Sequence, residues 1–144
     1  MPKNRENQIF NNGLAECQEA LEYKSSGAFE KAIELLQEII TKIDKEENSL
    51  EKVHLIGIVQ KNLGIIYMDT DNIQKALYSF NKAILNFEIV LKEAPTTIGI
   101  YKEQISIFNK MATLYHIVQE EDKAFSYSDK AIIYYKKFKL SRSI

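Results

Sequence analysis

The chain has 144 residues, 45% of them hydrophobic and 27% charged, with a formal charge of −1. That length suits one domain or one short solenoid with a real core, and the near-neutral balance gives no net pull toward nucleic acid or an acidic membrane. A single cysteine, Cys17, excludes an internal disulfide and a cysteine-based metal cluster, while the polar start argues against a signal peptide and no apolar run approaches the roughly 20 residues of a bilayer span, so a cytoplasmic protein is expected.

Six helices are predicted in chain order. The first runs from about Asn4 to Lys24 and stops at Ser25, Ser26 and Gly27, where glycine can take the left-handed conformation that ends a helix. The second carries Phe29, Ala32, Ile33, Leu36, Ile39, Ile40 and Ile43 at three-to-four spacing, with charged residues between. Asn48, with Glu51 three residues on, is the expected capping box of the third helix. That helix shows Ile56, Val59, Leu63, Ile66 and Tyr67 as its packing stripe and ends near 69–72. The fourth has Ile73, Ala76, Leu77, Phe80, Ala83, Ile84, Phe87 and Leu91 on one face. Pro95, Thr96 and Thr97 punctuate the chain before a fifth helix from about Ile98 to Val118. A sixth follows from about Glu121 to Lys139, and 140–144 reads as a frayed tail. Nothing alternates with period two for long enough to predict a strand.

An internal rhythm overlies these elements. Tyr23, Tyr67 and Tyr115 are each followed nine residues on by Ala32, Ala76 and Ala124, and seven further on by Ile39, Ala83 and Ala131. A small alanine lets two antiparallel helices approach closely while the tyrosine fills the space beside it. Recurrence of such a skeleton marks stacked supersecondary units. The middle copy reads Leu63, Gly64 and Tyr67, then Ala76, Phe80 and Ala83. The first keeps Tyr23, Gly27, Phe29, Ala32 and Leu36, with Ala20 where a glycine is common; the third keeps Ala112, Tyr115, Ala124 and Ala131.

On these residues the chain resembles the tetratricopeptide repeat over nearly its whole length. It departs in lacking the tryptophan, where Gln60 stands, in lacking the terminal proline, and in having Ser128 at a usually bulky position. It is also a long-helix variant: the alanines lie 44 and 48 residues apart, against 34 in the standard repeat. The resemblance implies an all-α, right-handed superhelical solenoid of three antiparallel helical hairpins. It would be a single domain over 1–144, with units at about 4–45, 49–93 and 97–139. It also implies a noncatalytic scaffold that binds a protein or peptide segment on its concave face, lined by the first helix of each pair.

Register places Leu14, Cys17, Leu21 and Lys24 on that face from the first unit. The second unit supplies Ile58, Lys61, Asn62, Ile65, Met68 and Asp69, and the third Ser106, Asn109, Lys110, Thr113 and His116. The residues alone support part of this assignment. Ile58, Ile65 and Met68 form a second apolar stripe on the third helix, which its packing stripe does not require, with Lys61 and Asn62 beside it. An apolar face with a few polar groups suits an amphipathic or extended segment. The carboxylate clamp familiar in such repeats is matched only at Asn62 and Lys110, with Cys17, Leu21 and Ser106 in the other places, too few donors to hold a terminal carboxylate.

Charge is unevenly spread. Ten acids stand against four lysines between Glu16 and Glu51, and six basic residues against Asp129 between Lys123 and Arg142. Ile133, Tyr134, Tyr135, Phe138 and Leu140 cannot all be covered by one preceding helix. Self-association through this basic, aromatic last helix is therefore the alternative reading, and a sensor module of a multi-component regulator is another. Enzymatic constellations are lacking: His54 and His116 are isolated, and Cys17 sits beside Glu16 and Glu19, a setting that opposes a thiolate. No cofactor or metal is expected.

Overall fold

The structure, a computed structural model, describes residues 2–95 and 97–143, the side chains of 2–4, 6, 98 and 141–143 excepted. Six helices make up the described chain: α1 (Pro2–Ser25), α2 (Phe29–Asp44), α3 (Leu50–Asp69), α4 (Ile73–Glu93), α5 (Ile98–Ile117) and α6 (Glu121–Ser143). No strand occurs among the described residues, so the all-α class holds. Two boundaries differ from expectation. Helix α3 is capped by Ser49, one residue later than Asn48: Ser49 is extended, and its Oγ accepts the Lys52 amide at 3.1 Å. At the far end α6 extends to Ser143, with no glycine or proline to interrupt it; Ile144 and Thr96 lie outside the described residues.

Three turns, joining α1 to α2, α3 to α4 and α5 to α6, share one construction. The residues at the left-handed position are Gly27 (φ 85°), Asp71 (φ 61°) and Gln119 (φ 63°), each four residues after its tyrosine. In each turn the next amide reaches back to the tyrosine carbonyl: Ala28 to Tyr23 at 2.9 Å, Asn72 to Tyr67 at 2.8 Å and Glu120 to Tyr115 at 2.9 Å. The left-handed residue's own amide reaches back three, to Lys24, Met68 and His116 at 3.0, 3.1 and 3.0 Å. This pair of bonds is the Schellman stop, which satisfies the last carbonyls of the incoming helix. The outgoing helix then starts alike each time, with Ala32, Ala76 and Ala124 donating to the carbonyl four residues back. All three alanines are buried, as are Ile39, Ala83 and Ala131.

The chain divides into two compact units, Met1–Asn86 and Phe87–Ile144, so that α4 gives 73–86 to the first and 87–93 to the second. In the first unit α1 packs on α2 and α3, and α2 on α3. The ion pair Lys42–Glu16 (3.0 Å) spans the antiparallel α1–α2 seam, and Arg5 near the start of α1 pairs with Glu46 just beyond the end of α2 (3.1 Å). Helix α3 is buried on more than one side: Leu55, Val59, Gln60, Asn62, Leu63, Ile66 and Tyr67 are all inside, which is why its apolar residues do not confine themselves to a single stripe. Two glycines permit the close approaches. A Cβ on Gly13 would sit 2.3 Å from Leu55 Cδ2, and one on Gly64 would sit 2.5 Å from the Phe80 ring.

In the second unit α5 and α6 run antiparallel around Ile100, Ile107, Phe108, Met111, Leu114, Ala124, Ala131 and Phe138, with Phe87, Val90 and Leu91 of α4 also buried. Aromatic contacts mark the α5–α6 seam: Tyr115 stacks on Tyr127 (5.4 Å between centroids, 15°), and Tyr134 meets Phe108 edge-on (4.9 Å, 78°). A polar node joins all three helices of this unit. Glu88 on α4 accepts from Gln104 Nε2 on α5 at 2.8 Å and from the Tyr134 hydroxyl on α6. Burial and the bond to Glu88 raise the Tyr134 pKa well above the usual phenol range.

Candidate functional site

Along α5, the residues Lys102, Ile105, Ser106, Asn109, Lys110 and Thr113 recur at three-to-four spacing and so form a single stripe. In the second unit that stripe is one wall of an open cleft of about 560 Å³, completed by Tyr135 and Phe138 of α6. Ile105 and Phe138 supply the apolar floor. Lys102 holds its ammonium 5.4 Å from the Phe138 ring centroid, and Lys139 lies 5.6 Å from that of the neighbouring Tyr135. Two turns along, Lys110 Nζ donates to Ser106 Oγ at 2.7 Å, which steers the ammonium along the cleft wall. Thr113, also in the lining, donates its hydroxyl to the Asn109 carbonyl at 3.1 Å. Eight residues at about 1.5 Å rise put the two lysine stems about 12 Å apart along the helix. The cleft is thus a greasy floor between two cations, a surface for a segment with acids on either side of an apolar residue.

Four of the five α5 residues expected at a binding face, Ser106, Asn109, Lys110 and Thr113, line this cleft together. The fifth, His116, does not. It is exposed beside the turn, where its Nδ1 pairs with Glu121 at 2.8 Å. Sequence reasoning missed Lys102, Ile105, Tyr135 and Phe138 as lining residues. The first two continue the predicted stripe one turn toward the helix start and were within reach of the periodicity. The last two come from the partner helix, and their placement depends on how far α6 is offset along α5.

The other expected residues lie on α3, in the first unit. Ile58, Lys61, Ile65 and Met68 are half-buried and share one edge of the helix. Asn62 does not join them: only 5% of it is exposed, so it belongs to the interior of this unit rather than to a solvent-facing groove. The cause is that α3 is covered on more than one side, which carries the interior past the stripe that periodicity marks. Asp69 pairs with Lys24 at 3.5 Å. Cys17 is buried, and burial together with Glu16 pushes its thiol up to about 11, so it stays protonated and inert at neutral pH.

A larger depression, about 1010 Å³, lies in the first unit over the turn residues Gly27, Ala28 and Phe29 and beside Tyr67, Asn72 and Lys75. Size does not favour it. Gln37 Nε2 meets the Tyr67 hydroxyl at 3.4 Å across it and the Lys75 ammonium lies 5.6 Å from the Tyr67 ring centroid, and a larger share of its lining is polar than in the α5–α6 cleft. Among the described residues no group of three or more potential metal ligands gathers, and no described helix is long and apolar enough to cross a membrane. No protein-family model matches the chain, and no curated protein matches it in sequence at a significant level.

Proposed function

We propose that the chain is a noncatalytic scaffold, a long-helix, tetratricopeptide-like solenoid of three hairpins that captures a segment of another protein. The docking place is the α5–α6 cleft. The observation that carries this reading is the α5 stripe itself, in which Lys102 and Lys110 flank the half-buried Ile105 beside Tyr135 and Phe138 of α6. The three identical turns, 44 and 48 residues apart, support the repeat architecture on which the reading rests.

A separation of about 12 Å between the lysine stems equals the reach of three to four residues of extended chain. The segment that fits carries an acid, a spacer, a leucine, a spacer and a second acid. The test is fluorescence anisotropy with a labelled dodecamer bearing that pattern at its centre. The wild-type chain binds it in a salt-sensitive manner. Lys102→Glu with Lys110→Glu weakens binding at least about tenfold, because two charge-assisted contacts become repulsions, while helicity and thermal midpoint stay unchanged. Undiminished binding by that folded double variant, or loss of binding on Ile65→Glu alone, would move the site to α3.

A further inference from the structure

The outer face of α6, the helix already read as a route to self-association, has an order that the cleft does not use. Phe125, Asp129, Ile132, Ile133, Lys136 and Leu140 lie within one arc of the helix, opposite the buried Ala124, Ala131 and Phe138. Their apolar members are bare: Phe125 is 71% exposed, Leu140 67%, Ile132 54% and Ile133 50%. A solvated helix face carries charges at such positions, and four large apolar side chains in a row are a docking surface. Asp129 and Lys136 are exposed as well, and neither has an ion-pair partner among the described residues.

The stripe is self-complementary when reversed. Read from either end it runs apolar, charged, apolar, apolar, charged, apolar, with the acid in one half and the base in the other. We infer that α6 pairs antiparallel with α6 of a second copy of this chain, about a two-fold axis passing between Ile132 and Ile133. In that register Ile132 meets Ile133 of the second copy, Asp129 meets Lys136, and Phe125 meets Leu140, each contact occurring twice. A two-fold interface demands this reciprocity, since the same patch must serve both partners. Charge selects the direction: a parallel pairing would set Asp129 against Asp129 and Lys136 against Lys136. The stripe shares no residue with the α5–α6 cleft, so pairing and segment capture are separable.

The test is sedimentation equilibrium on the whole chain from about 1 to about 300 µM, a range set by a contact one helix wide, at the small end of specific interfaces. The mass is expected to climb from 16.7 kDa toward twice that value. Ile133→Glu holds the chain at the monomer mass with its helicity intact. Asp129→Lys and Lys136→Asp each weaken self-association at least about fivefold, yet an equimolar mixture of the two variants regains the dimer, because each then presents the charge the other lacks. Three results overturn the proposal: a constant 16.7 kDa at every concentration, which would leave the face to a different macromolecule; a dimer that Ile133→Glu does not disturb; or a mixture of the charge variants no more associated than either alone.

Discussion

The first unit encloses its middle helix, whereas the second leaves its last one open. In residues 50–69, α3 turns Leu55, Val59, Leu63 and Ile66 inward and has so little spare room that Gly13 and Gly64 cannot bear a Cβ without displacing Leu55 and Phe80. In the second unit α6 commits Ala124, Ala131 and Phe138 to the seam with α5 and leaves Phe125, Ile132, Ile133 and Leu140 in solvent. Both are built on the same turn and the same buried alanine. What differs is how many sides of the helix find a neighbour, and in the second unit the uncovered side chains are large and apolar.

The sharpest way to break this comparison is to truncate one aromatic residue in each unit. Phe80→Ala should cost about 3–5 kcal/mol in urea unfolding, since the ring is fully buried against Gly64. Phe125→Ala should change stability by no more than about 0.5 kcal/mol at monomer concentrations. Comparable losses would mean that the second unit is as closely packed as the first.

The turns offer a smaller and more discriminating effect. Gln119 holds a left-handed conformation with a side chain that gains nothing from it, so Gln119→Gly should stabilise the chain by about 1 kcal/mol. Asp71→Gly should gain less, because aspartate tolerates that region better, and Gly27→Ala should lose about 1 kcal/mol. Thermal midpoints of the three variants check the ordering. An equal response at all three would show that the turns, though alike in bonding, are not the stops that define the hairpins.

Removing the hydroxyl that bridges α6 to α4 comes next. Tyr134→Phe deletes the bond to Glu88 and should cost about 1 kcal/mol, the modest value of a half-exposed hydrogen bond to a carboxylate. Chemical denaturation reads it directly, and a neutral result would make the node incidental.

A pH-dependent effect lies on the alkaline side. The folded Cys17 thiol keeps its proton to about pH 11, whereas the unfolded one releases it near 9.0. Its contribution is therefore complete below pH 9 and is lost as pH rises toward 11. The difference in stability between wild type and Cys17→Ala should shrink across that window and stay flat below it. A flat difference throughout would mean that the thiol is more hydrated than its burial indicates.

Much of the architecture was legible in the residues because local chemistry determines it. Gly27 announced the first turn, and the apolar stripe of α4 announced its buried face. The other two turns were placed near 69–72 and between Val118 and Glu121, but their left-handed residues were not, because Asp71 and Gln119 give no glycine signal. Asn62 was misread for a different reason. Periodicity counts the apolar side of a helix and is blind to a second neighbour, so a polar residue covered by one reads as solvent-facing. Half of the cleft was visible as the α5 stripe. Tyr135 and Phe138 depend on the axial offset of two helices, which no spacing within either helix encodes.

The central claim, that a partner segment lies between Lys102 and Lys110, is tested most directly by titrating the acid–leucine–acid dodecamer into the labelled chain and following its amide NMR spectrum. The account predicts that Ile105, Ser106, Asn109, Lys110, Thr113 and Phe138 shift together and saturate at one stoichiometric equivalent. Shifts centred instead on Ile58, Ile65 and Met68, or a spectrum that the peptide leaves unmoved, would contradict it.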